Sequence, residues 1–227
     1  VVNLVGIFGS ASAMDGINRG GADRVAKEAK AAGVTSLVHF SAIGADSQSP
    51  SAYGRSKAAG EAAVARAFPG ATIVRPSIIF GREDNFVNRF ARLIRMAPFV
   101  PIIGANTRFQ PVYVADVARA VASILTRKVA RGETLELGGP QIVSMLELNQ
   151  WIAKAIGRDR AFFSIPDFVA GPMAAMTGWL PGAPINSDQF KMLQNDNVVS
   201  GADGLAALEI VPMSLDSVAH DWLALYR

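Results

Sequence analysis

Apolar positions change their spacing along the chain, and the changes mark the elements. Residues 1–8 form a short apolar run closed by Gly9, which predicts a buried parallel strand. A loop of small residues, 10–16, follows. Residues 18–32 place alanine and apolar side chains at helical spacing, and Gly33 predicts a C-terminal cap. Residues 36–40 read as the next strand. Residues 51–68 read as a second alanine-rich helix stopped by Pro69-Gly70, and 71–74 as a third strand cut by Pro76. Strand, helix, strand, helix, strand in this order predicts right-handed crossovers and a parallel sheet covered on both faces.

After Phe80-Gly81 the pattern changes. Asp84 or Asn85 can cap a helix that puts Phe86, Val87, Phe90, Leu93 and Ile94 on one face. A helix over 116–125 and a strand over 133–137 follow. Ser144-Met145-Leu146-Glu147 is a capping box opening a helix to Ile156. Phe162 and Phe163 read as core, and so does most of the stretch from Phe168 to Leu180, with Met173, Met176 and Trp179, as core or pocket lid. A membrane-surface or partner-docking role is the other reading of that stretch, because its apolar residues exceed what a small lobe buries. A last helix is predicted over 215–226.

Composition narrows the chemistry. Half of the 227 residues are hydrophobic and 18% are charged, which excludes wholesale disorder. With no cysteine, a disulfide scaffold, a thiolate metal site and a cysteine nucleophile are excluded. The two histidines, His39 and His220, are far apart in sequence, so no metal site is expected. Twenty-two basic residues against nineteen acidic ones, unclustered, do not point to nucleic acid. No apolar run is long enough to span a bilayer: the most apolar stretch, 165–185, is broken by Pro166, Asp167, Pro172, Pro181 and Pro184. Arg89, Arg92 and Arg95 read as a solvated helix face.

The informative spacing is Tyr53-Gly54-Arg55-Ser56-Lys57, downstream of Ser41. Tyr53 and Lys57 stand at i and i+4 on a helix and share one face. A phenol is a poor acid–base group at neutral pH, and an ammonium one turn away is expected to lower its pKa. Ser41 falls just past a strand, at the carboxyl end where open α/β sheets bind ligands. Its hydroxyl is placed to hydrogen-bond a substrate oxygen beside the phenol. The reaction implied is hydride transfer from a nicotinamide with proton transfer through Tyr53. His39 alternates with Ser41 in its strand and reads as a packed side chain.

Several segments in order carry a resemblance. They are Val2-Asn3-Leu4-Val5-Gly6, Asn18-Arg19-Gly20-Gly21, Val38-His39-Phe40-Ser41-Ala42, Tyr53 to Lys57, Arg75-Pro76-Ser77-Ile78-Ile79-Phe80-Gly81, and Phe109-Gln110-Pro111-Val112-Tyr113-Val114-Ala115-Asp116-Val117-Ala118. The chain resembles the extended short-chain dehydrogenase/reductases, the NAD-dependent epimerase/dehydratase type. Gly81-Arg82-Glu83-Asp84-Asn85-Phe86 and Asp196-Asn197-Val198-Val199-Ser200 resemble the atypical subgroup of the accessory NAD(P)H-binding subunit of respiratory complex I and its bacterial relatives. For Arg89, Arg92 and Arg95 the subgroup resemblance implies contact with an acidic partner or lipid headgroups.

The resemblance implies an α/β fold. A Rossmann-like doubly wound parallel sheet is expected over 1–81, with a small C-terminal α/β lobe over 82–227 interleaved with the sheet around 109–126. It implies catalytic roles for Ser41, Tyr53 and Lys57, and contacts to NAD or NADP, NADPH favoured, from Asn3, Gly6, Asn18, Tyr53, Lys57, Pro76 and Ile79. The family's glycine-rich pyrophosphate loop has no counterpart here, since Gly6-Ile7-Phe8-Gly9 lacks the third glycine. The N-terminal strands of the fold are therefore expected to be missing from this chain.

Two functions follow as expectations. The first is a nicotinamide-dependent oxidoreductase or epimerase acting on a small molecule. The second is a non-catalytic accessory subunit of complex I, or a factor in quinone metabolism, in peripheral contact with the membrane. The expected place is the cytoplasm or the cytoplasmic face of the inner membrane, or the mitochondrial matrix in a eukaryote.

Overall fold

In chain order the elements are β1 (Val2–Asn3), α1 (Ala11–Met14), a π-helical turn (Asp15–Gly21), α2 (Ala22–Ala31), β2 (Val38–Phe40), α3 (Ala52–Ala67) and β3 (Thr72–Pro76). Then come β4 (Ile79–Phe80), α4 (Val87–Met96), β5 (Phe99–Ile103), β6 (Arg108–Phe109), β7 (Val112–Tyr113), α5 (Val114–Arg127) and β8 (Thr134–Leu137). The rest are β9 (Val143–Ser144), α6 (Met145–Ala155), β10 (Ala161–Ile165), α7 (Asp167–Thr177), α8 (Ser187–Met192), α9 (Gly204–Ala207), α10 (Leu215–Val218) and α11 (His220–Leu223). The computed structural model describes residues 1–127, 129–178 and 185–227. Trp179, Leu180, Pro181 and Pro184 lie outside the described residues.

Two units share the chain. Unit 1 comprises Val1–Ser77, Ala115–Gly138 and Val199–Val211; unit 2 comprises Ile78–Val114, Gly139–Val198 and Pro212–Arg227. Unit 1 holds a four-stranded sheet in the order β1-β2-β3-β8, all pairs parallel. With its flanking helices it is a Rossmann-like α/β fold. Small side chains on α2 and α3 let them pack closely: Ala22, Ala26 and Val64 bury with Leu37, Ala71 and Ile73. Gly33 ends α2 at φ +68°, where Val34 N–H donates to the Ala29 carbonyl. Ser51 caps α3 by accepting from the Gly54 N–H at 2.9 Å.

Unit 2 has a larger apolar core. Phe80, Val87, Ala91, Ile94, Val100, Ile102, Leu148, Ile152 and Trp222 all bury in it. Asp84 accepts from the N–H groups of Phe86 and Val87 at the start of α4, as a capping residue does. The capping box forms at α6: Glu147 N–H donates to Ser144 Oγ, and Ser144 N–H donates back to the Glu147 carboxylate.

Four expectations change. The strand predicted over 1–8 is only Val2–Asn3, and Leu4, Val5 and Phe8 are exposed, because the chain leaves the sheet to pass over α3. The helix predicted from Asn18 begins at Ala11 and widens into a π turn at Asp15–Gly21. The last helix is two short α segments and a 3₁₀ turn, Ala224–Tyr226. Phe163, Phe168 and Met176 are exposed rather than core: α7 turns Ala170 and Ala174 inward instead, and β10 turns Phe162.

Candidate functional site

Unit 1 gathers most of the predicted site residues at the carboxyl ends of its strands. The loop after β1 is tied down by two asparagines. Val5 N–H donates to Asn3 Oδ1, and Asn3 Nδ2 pairs with His39 Nδ1 at 3.1 Å. Asn18 sits at the centre of the π turn, almost fully buried. Its Oδ1 accepts from Ile7 N–H at 2.8 Å, and its Nδ2 donates to the Ile7 carbonyl and to Ser56 Oγ. Ser56 Oγ in turn donates to the Tyr53 carbonyl. A π turn inserts one extra residue into a helix and redirects its side chains, which is how Asn18 faces the loop.

Lys57 is buried, and its ammonium donates to the Phe40 carbonyl at 2.6 Å, one residue before Ser41. A methyl group on Gly6 would come within 3.4 Å of Lys57 Nζ, so the loop passes close over the lysine. Ser41 N–H donates to the Val74 carbonyl at 2.7 Å, which fixes its backbone to β3. Its Oγ is buried without a hydrogen-bond partner. Pro76 closes β3, opposite Leu137 on β8, and its carbonyl accepts from Ile43 N–H. Ile79 belongs to unit 2, on β4 opposite Val112. Asn3, Gly6, Asn18, Ser41, Tyr53 and Lys57 are thus linked through one set of contacts within unit 1.

The tyrosine departs from expectation. Phe8 stacks on Tyr53 with ring centroids 4.1 Å apart and planes 15° from parallel. Burial pushes the Tyr53 phenol up to about 12 from its ordinary 10, the opposite of the expected lowering by Lys57. Burial also lowers the Lys57 ammonium, partly offset by the Glu61 carboxylate. Burial and the nearby Lys57 charge together lower His39 to about 4, so its ring is neutral at pH 7. Its Nε2 is buried without a partner.

Sequence reasoning missed two residues. Phe8 was read as a strand residue. Gly60 lets α3 approach the π turn so closely that a Cβ there would run into the Asn18 carbonyl. A glycine inside an otherwise alanine-rich helix was the available signal. Arg75 is a structural residue: its guanidinium makes a two-pronged bond to Glu61, at 2.8 and 2.6 Å, and reaches Glu136 at 3.7 Å.

Comparison with known proteins agrees with this architecture. Residues 10–175 match the RmlD substrate binding domain family. The mitochondrial "NADH dehydrogenase (ubiquinone) 1 alpha subcomplex subunit 9" of Arabidopsis thaliana is 36% identical over 207 residues, 86% of this chain and 52% of that protein. Its Rattus norvegicus counterpart is 33% identical, over 89% of this chain and 55% of that protein. The chain therefore spans about half the length of these relatives. Among solved structures, the Citrobacter sp. triphenylmethane reductase complexed with NADP(H) superposes with a TM-score of 0.76 at 17% identity, covering 97% of this chain and 75% of that one. That likeness is one of fold.

Proposed function

The chain belongs to the RmlD substrate binding domain family, of the extended short-chain dehydrogenase/reductase type, and from that premise we propose that unit 1 holds the nicotinamide-ribose end of NAD or NADP beside a Ser41–Tyr53–Lys57 proton-transfer set. The observation that carries this reading is the Ser41 hydroxyl, buried and unpartnered directly after the residue whose carbonyl holds the Lys57 ammonium. An orphaned buried hydroxyl costs about 1–3 kcal/mol. A substrate oxygen arriving there removes that cost. The close passage of Gly6 over Lys57 brings the loop backbone to the lysine that would hold a ribose.

A nicotinamide bound there would supply the hydride chemistry; this chain's residues handle the proton. Tyr53 gives its phenolic proton to a carbonyl oxygen in reduction and recovers it in oxidation. Ser41 donates to the same oxygen and holds it toward the phenol. Lys57, held against the Phe40 carbonyl on the same helix face as the phenol, is placed to hold the ribose and to bring a positive charge to the site. Asn18 and Asn3 keep the loop above the lysine in place. The cofactor is NAD or NADP, and the substrate is a small carbonyl or hydroxyl compound.

The test is to titrate the chain with NADPH and NADH, then assay carbonyl reduction in the parent and in Tyr53→Phe. Retained cofactor binding with turnover reduced roughly 10²–10⁴-fold is expected. Equal turnover in both proteins removes Tyr53 from the chemistry.

A second reading is a nucleotide-binding accessory subunit of a respiratory NADH dehydrogenase, peripheral to a membrane. It is favoured by the two mitochondrial relatives and by the Phe8 ring that covers the phenol. Here Tyr53→Phe leaves assembly of the host's NADH dehydrogenase intact while deletion of the gene impairs it. Normal assembly after deletion excludes this reading.

A further inference from the structure

We propose that one face of unit 2, formed by the end of α4 with β5 and β10, docks on an anionic phospholipid bilayer. The proposal is independent of the site in unit 1. β5 and β10 pair in parallel with Phe99 opposite Ala161 and Pro101 opposite Phe163. Residues paired in this way point to the same side of a sheet. One side is buried: Val100 and Ile102 enter the core of unit 2, with Phe162 packed against it. Among the described residues, the other side is left exposed. Phe99 is 64% exposed and Phe163 50%, with Pro101 and Ala161 exposed beside them.

The end of α4 leads directly into β5 and also exposes apolar side chains. Met96 is 76% exposed, and Leu93 lies one turn earlier, also exposed. Arg160 ties the pieces together, donating from its guanidinium to the Ile94 carbonyl at 2.9 Å and to the Arg95 carbonyl at 3.4 Å. That bond brings the start of β10 to the last turn of α4.

Charge selects the occupant. The segments 92–99 and 154–163 carry Arg92, Arg95, Lys154, Arg158 and Arg160 against a single acid, Asp159. Among the described residues, none of Arg92, Arg95, Lys154 and Arg158 forms an ion pair, and all four are exposed. Exposed apolar tips carried on the same short segments as long cations without ion pairs suit a surface whose headgroups are anionic and whose interior is apolar. The rings and the methionine enter the acyl boundary while the arginines stay at headgroup level. Among the described residues no helix is long and apolar enough to cross a membrane, so the contact is peripheral.

The experiment is co-sedimentation of the full chain with vesicles of phosphatidylcholine alone or with phosphatidylglycerol added, at low and high salt. Binding is expected only with phosphatidylglycerol and is weakened by salt. Arg95→Glu and Phe99→Glu should each weaken partition by roughly tenfold, and Arg95→Lys should retain it. Phe99→Trp keeps the apolar character and serves if Phe99→Glu misfolds. Its emission should be quenched by brominated lipid in the phosphatidylglycerol vesicles. The proposal is overturned by absence of binding, by equal binding to both vesicles, by full binding of both glutamate variants, or by no quenching of the tryptophan. A dimer in light scattering that Phe99→Glu breaks, without vesicle binding, would assign the face to a second copy instead.

Discussion

Phe8→Ala isolates the source of the Tyr53 perturbation. Phe8 is 59% exposed, yet its ring lies flat on Tyr53 with centroids 4.1 Å apart. The stack itself contributes about 0.5–1.5 kcal/mol, so the variant should fold with a modest loss of stability. Its larger effect is on the phenol. In the parent the phenol is pushed up to about 12, so at pH 10 it is about 1% ionised where a free tyrosine is half ionised. The folded state then holds a proton that the unfolded chain gives up above pH 10. Stability is full below pH 10 and falls as the pH rises toward 12, by roughly 2–3 kcal/mol. Without the Phe8 ring, water reaches the phenol and its pKa should fall toward 10, so the alkaline loss shrinks. The assay is the phenolate absorbance after a pH jump, read before unfolding. Subtracting the Tyr53→Phe signal removes the contributions of Tyr113 and Tyr226. A Tyr53 midpoint unchanged in Phe8→Ala would refute the claim that the stacked ring causes the burial. A parent midpoint below 10 would mean that the Lys57 charge outweighs desolvation.

Further outcomes follow from other contacts. Gly60→Ala sets a methyl against the Asn18 carbonyl and should destabilise by about 1–3 kcal/mol in urea unfolding; an unchanged midpoint would mean that α3 and the π turn separate freely. His39 is lowered to about 4 from 6.5 by burial and the Lys57 charge, so its contribution is intact above pH 6.5 and lost as the pH falls toward 4, by roughly 3 kcal/mol. Urea midpoints across that range should fall less in His39→Gln, and equal slopes in the two proteins would show another group to be responsible. Ser144→Ala removes the cap of α6 and should cost about 1 kcal/mol, with retention of the parent midpoint counting against the capping box.

The reading of the site from the residues was uneven for a physical reason. Ser41, Tyr53 and Lys57 could be named because local spacing and chain order carry that information, and the resemblance extended it to Asn3, Gly6, Asn18 and Pro76. The electrostatic state of Tyr53 could not. Its i+4 lysine suggested an easily ionised phenol, but the ammonium turns to the Phe40 carbonyl and the Phe8 ring covers the tyrosine. A pKa depends on what surrounds a group in three dimensions, and residues far apart in the chain supply most of that.

Periodicity and stop signals, which are local, already determined the parallel α/β order, the Gly33 cap, the Ser144 capping box and the helix that carries Tyr53. Three features needed the folded chain: the π turn that directs Asn18, the close approach at Gly60, and the uncovered face of Phe99 and Phe163. Each depends on which surfaces meet. The same apolar pattern that predicts a buried strand describes Phe163 equally well when its ring is left half exposed among the described residues.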